Sequence, residues 1–95
     1  MKLVRVVKSD KPLKKFKAVF KDDKGNFKEV HFGAAGANDF TLTGDIKARD
    51  KYWVRHNKDL RTNDPTRAGY LSLFLLWNKP TLEASIRDYK KRFGM

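Results

Sequence analysis

A chain of 95 residues without cysteine reads as one domain, with room for a modest core and neither a disulfide framework nor a thiolate zinc site. Its 22 lysines and arginines against 11 acids leave a net charge of +11, and so strong a field on so small a body calls for a polyanion: nucleic acid, an anionic membrane face or an acidic protein. The start, MKLVRVVKSD, has no long apolar run after Lys2 and is not a signal peptide; cysteine-free composition suits a reducing compartment.

The first third alternates like strands. Residues 3–8, LVRVVK, form one, turned back by SDKP. In KKFKAVFKDDKGNFKEVHFG, Gly25 supplies the positive φ that closes a hairpin turn. With Asp22 paired to Asn26, Phe20 faces Lys28, Ala18 faces Val30 and Phe16 faces Phe32. That register puts Phe16, Ala18, Phe20, Val30 and Phe32 on one apolar side, with Lys17, Val19, Lys21, Phe27, Glu29 and His31 on the other; a slip of one residue scrambles both.

The remainder reads as helices. Thr43 or Asp45 caps a helix to about Asp59, with Lys47, Lys51, Arg55 and Lys58 along one stripe and Ile46, Trp53, Val54 and Leu60 on its inner side. Asp64 as cap with Pro65 at the first helical position starts a second helix through YLSLFLLW. Its eight-residue oily block is far below the roughly twenty residues of a membrane span and, apolar nearly all round, belongs in the interior. Gly69 there allows a neighbour to come close. Lys79-Pro80 ends it, and a third helix carries Leu82, Ile86, Tyr89 and Phe93 on one face. The expected architecture is α+β: an antiparallel meander of two or three strands (1–32), a glycine-containing loop (33–42) and three helices (43–93), the sheet's oily side packed on the helices.

Three basic surfaces result: the outer sheet face (Lys17 and Lys21, extended by Lys15 and Lys28), the first helix (Lys47, Lys51, Arg55, Lys58) and the last (Arg87, Lys90, Lys91). Few acids share them, chiefly Glu29 and Asp88. Fifteen lysines to seven arginines favour diffuse attraction to phosphates over bidentate base reading. Tyr52, Phe27 and His31 lie near cations and offer rings for stacking on unpaired bases.

Catalysis finds little purchase. His31, His56, Asp39, Asp45 and Asp50 show no zinc spacing, Ser72 and Ser85 lack an elbow motif, and HFGAAGAND is neither a P-loop nor a dinucleotide fingerprint. The chain is read as non-enzymatic, without metal or cofactor. Gly33 and Gly36 turn the chain out of the sheet, and Asp39 caps a turn or accepts from Arg55 or His56.

HFGAAGANDFT, YWVRH and NDPTRAGYLSLFLLWNKPTLEASIRDYKKRF together resemble an uncharacterised family of small basic proteins encoded by large and giant nucleocytoplasmic DNA viruses. The resemblance runs from Lys15 to Phe93 and leaves LVRVV outside. It implies a viral origin, the cytoplasm of the infected cell and packaging in the virion, and it supplies no catalytic residue. Two functions follow as expectations: sequence-independent binding of nucleic acid, duplex DNA above all, through its phosphates, serving genome packaging; or a minor capsid or internal virion protein gripping acidic partners or the inner membrane surface.

Overall fold

The computed structural model describes residues 1–95 as three strands followed by helices, an α+β fold. Strands β1 (Lys2–Lys8), β2 (Lys14–Lys21) and β3 (Phe27–Ala34) form an antiparallel sheet with β2 in the middle. The β2–β3 register is the expected one: Phe20 lies opposite Lys28, Ala18 opposite Val30 and Phe16 opposite Phe32. The Asp22 amide donates to the Asn26 carbonyl at 2.9 Å, and Gly25 takes φ +85° in the turn. Ala18, Phe20 and Phe32 are fully buried; removing such a phenylalanine from water is worth about 1.5–3 kcal/mol.

Strand β1 holds a device that its alternation conceals. Leu3 pairs with Phe20 and Arg5 with Val19, so Val4 is an extra residue in a β-bulge. Without it, Leu3 and Val6 would lie on opposite sides. With it, Leu3 is buried, Val6 packs against the core, and Arg5 shares the outer side with Val19.

The loop expected over 33–42 contains a helical turn, α1 (Phe40–Thr43). Asp39 caps it by accepting from the Thr41 amide at 2.9 Å, and Gly44 ends it at φ +66°. Helix α2 (Ile46–His56) starts on Asp45, whose carboxylate accepts from the Ala48 amide. It stops three residues earlier than expected and passes into a 3-10 stretch, Asn57–Thr62, because Leu60 turns inward and its carbonyl accepts the Tyr70 hydroxyl at 2.8 Å.

The expected helix start at Pro65 is wrong. Helix α3 (Ala68–Leu71) begins three residues later. Asp64 instead accepts from the amide and hydroxyl of Thr66, and the Pro65 carbonyl, which a helix starting there would offer to the Gly69 amide, accepts the Tyr89 hydroxyl at 2.5 Å. From α3 the chain runs into a π-helical stretch, Ser72–Leu76, where Leu73, Phe74, Leu75 and Leu76 are all buried. This oily block is the centre of the core, shared by the sheet and by α4 (Leu82–Phe93), whose Tyr89 is fully buried. Gly69 does admit a close neighbour: a Cβ on it would lie 2.7 Å from that of Asp59.

Candidate nucleic-acid interface

Helix α2 sets the most coherent basic surface. The Trp53 indole donates to the Trp77 carbonyl at 2.6 Å, and the Tyr52 ring stacks on Trp77 at 4.4 Å. Those two contacts fix the rotation of the helix about its axis. The row Lys47, Lys51, Arg55, carried on by Lys58, therefore points to solvent; all four are exposed, and none has a carboxylate within ion-pairing distance. At 1.5 Å per residue, the first three span about 12 Å along the helix. The same rotation corrects the expected inner side: Trp53 and Leu60 do pack on the core, but Ile46 and Val54 are exposed, Val54 to 74 %. Leu42, in α1, is exposed as well.

Tyr52 is not a base-stacking residue. His56 stacks on it at 4.1 Å and Trp77 at 4.4 Å, and two near-parallel rings at such distances must occupy opposite faces. Burial holds its hydroxyl above the ordinary tyrosine range, against the opposing influence of Ser72. Phe27, by contrast, is 63 % exposed, with the Lys21 ammonium 5.6 Å from its ring centre.

The outer sheet face is less cationic than expected. Lys17 forms an ion pair with Glu29 at 3.0 Å, and its side chain is only 19 % exposed; it is not a free phosphate contact. Lys21 has no acidic partner. Lys15 leaves the face altogether: its ammonium bonds Asp39 at 2.6 Å and the Ala37 carbonyl at 2.5 Å. Lys28, opposite Phe20, belongs to the inner register and bonds the Thr66 hydroxyl at 2.8 Å.

On α4, Arg87 and Lys91 are exposed and Lys90 is half-buried, all without an acidic partner, while Arg92 is tied to Asp88. Burial works to raise the Asp88 carboxyl, but hydrogen bonds from Asn78 and Arg92 and the nearby positive charge outweigh it and hold it below the usual range. Across the molecule only Lys15, Lys17, Arg49, Arg67 and Arg92 of the 22 lysines and arginines are paired with carboxylates. The surplus charge therefore stands in solvent rather than being consumed internally.

The HFGAAGAND segment has a structural explanation. Gly33 and Gly36 take φ +78°, and a Cβ on Gly33 would lie 2.9 Å from Leu76 Cδ1. His31 Nδ1 is 2.6 Å from the Ser9 hydroxyl, and its Nε2 is 3.8 Å from Asp10. Asp39 is 1 % exposed and satisfied by Lys15 and by the amide and hydroxyl of Thr41; neither Arg55 nor His56 reaches it. The cleft beside it, lined by Lys15, Asn38, Asp39, Arg55 and Trp77 among others, encloses about 210 Å³. That is below the roughly 300 Å³ at which small-molecule sites begin. No three His, Asp or Glu side chains converge to hold a metal ion, and no helix is long and apolar enough to cross a membrane.

Sequence reasoning missed Arg5, whose side depends on the bulge, and the exposure of Ile46 and Val54, for which the available signal was the pair of tryptophans that orients α2. A model of a family of unknown function (DUF5754) matches residues 4–56, from strand β1 to the last residue of α2. No curated protein and no solved structure matches the chain.

Proposed function

We propose that this chain, which belongs to a family of unknown function (DUF5754), is a non-enzymatic nucleic-acid-binding protein that grips DNA phosphates with little regard to sequence. The observation that carries this reading is the row Lys47, Lys51 and Arg55 along α2, followed by Lys58 in the 3-10 stretch: four exposed cations, each without a carboxylate partner. A helix held in place by Trp53 and Tyr52 is a rigid mount for flexible ammonium groups, which is what phosphate contact requires, and three of the four carry the compact lysine charge rather than a base-reading fork. Arg87, Lys90 and Lys91 add a second cationic surface. Set beside the resemblance to proteins of large DNA viruses, the polyanion is a genome being packaged, and the protein resides in the virion or the infected-cell cytoplasm.

The exposed apolar side chains of Leu42, Ile46 and Val54 favour a second reading, an internal virion protein that docks an acidic, partly apolar partner such as a capsid or core protein. Gel shift with two unrelated duplexes of equal length separates the two. The phosphate reading expects affinities within about a factor of two, because backbone contacts carry no base information. A protein-docking role expects weak retention of either duplex.

A further inference from the structure

We propose that the outer face of the sheet is a platform for an unpaired nucleic-acid strand, with Phe27 as the ring on which a base stacks. This deepens the nucleic-acid reading above and rests on it. The core lies on the inner side, where Leu3, Ala18, Phe20 and Phe32 meet the helices, so the outer face is left open. Register places its residues in rows across the strands: Lys21 opposite Phe27, then Arg5, Val19 and Glu29 abreast. Arg5, Val19, Phe27 and Glu29 line one open concavity, with Val19, 2 % exposed, as its floor.

Two features of this face, taken with the geometry of stacking, point to a strand rather than a duplex. Phe27 is 63 % exposed, with only the mobile Lys21 ammonium over its ring, although burying it would be worth a few kcal/mol. Arg5 and Lys21 beside it are exposed and unpaired, and Glu29, the only acid of these rows, is already engaged by Lys17. A ring lying on a sheet reaches a base only where the base's flat face is uncovered, and in a duplex those faces are stacked on one another. Charge draws the phosphates to Arg5 and Lys21; the ring on the neighbouring strand takes a base.

The test uses the full chain and fluorescence anisotropy of a labelled oligo(dT) strand and of a mixed-sequence duplex of the same length. Phe27→Ala should weaken the single strand roughly ten- to a hundredfold and leave the duplex within about twofold, while Phe27→Trp should restore single-strand affinity. Because Phe27 is exposed, both variants should retain the wild-type circular dichroism. If Phe27→Ala binds oligo(dT) as wild type does, or weakens both ligands equally, the platform is refuted while the phosphate reading stands. Phe27-dependent binding to anionic phosphatidylserine vesicles with no effect on oligo(dT) also refutes it and assigns the ring to a membrane surface. If the wild-type protein binds neither nucleic acid, both readings fall.

Discussion

Changing Lys47, Lys51, Arg55 and Lys58 together to glutamate abolishes retention on DNA and leaves the fold intact. Each reversal moves the charge by two, taking the protein from +11 to +3. More important is where the charge is removed. In counterion release, each neutralised phosphate contributes about 0.9 to the salt exponent, so losing four contacts costs about three and a half orders of magnitude in affinity at 0.1 M salt, before any repulsion by the new carboxylates. Stability should barely move. None of the four side chains makes an ion pair, lysine and glutamate have similar helix propensities, and a glutamate at position 47, in the first turn of α2, suits the helix dipole and offsets the one at 55, in the last turn, which opposes it. The check is a filter-binding curve beside a thermal melt. Unchanged retention by a folded variant would remove α2 from the interface and leave the cations of α4 and the sheet.

Replacing Asp39 by alanine should have the opposite profile: a large loss of stability and no specific loss of DNA contact. Asp39 is 1 % exposed; it caps α1 through the Thr41 amide and neutralises Lys15, whose side chain is itself 15 % exposed. Removing the carboxylate leaves the largely buried Lys15 ammonium with only the Ala37 carbonyl to hold it. Breaking a buried pair by deleting one partner costs about 3–5 kcal/mol, and in a domain this size each kcal/mol lowers the melting temperature by about 4–8 °C. Lys15→Met in the same background should recover part of the loss, since the stranded charge is then gone. Urea titration of the two single variants and the double measures the coupling. A penalty for Asp39→Ala under about 1 kcal/mol would refute the structural explanation of the HFGAAGAND segment.

Such contrasts mark what a sequence makes legible. The β2–β3 register was readable because strict alternation and Gly25 permit one pairing that keeps five apolar residues together. The Val4 bulge was not, because LVRVV alternates acceptably either way and only the Leu3–Phe20 contact chooses. The oily block announced its burial by having no polar side, but nothing in it signals π-winding. Charge pairing was hardest to foresee. Lys17 meets Glu29 diagonally across two strands, and Lys15 meets Asp39 around a loop 24 residues away. Local spacing assigned both lysines to an open face, and long-range geometry withdrew them. Lys47, Lys51 and Arg55 stand exposed because they lie four apart on one helix and depend on no distant partner. Their apolar neighbours misled for the converse reason: Ile46 and Val54 looked like core until Trp53 and Tyr52 fixed which way the helix turns.

The most direct measurement is the affinity of the wild-type protein for a random-sequence duplex across a series of salt concentrations. Four phosphates neutralised by the α2 row alone predict a line of log affinity against log salt with a slope of about −3.6, steeper if α4 takes part. A slope near zero, or no detectable complex at 50 mM salt, would contradict the proposal that these unpaired cations serve to hold nucleic acid.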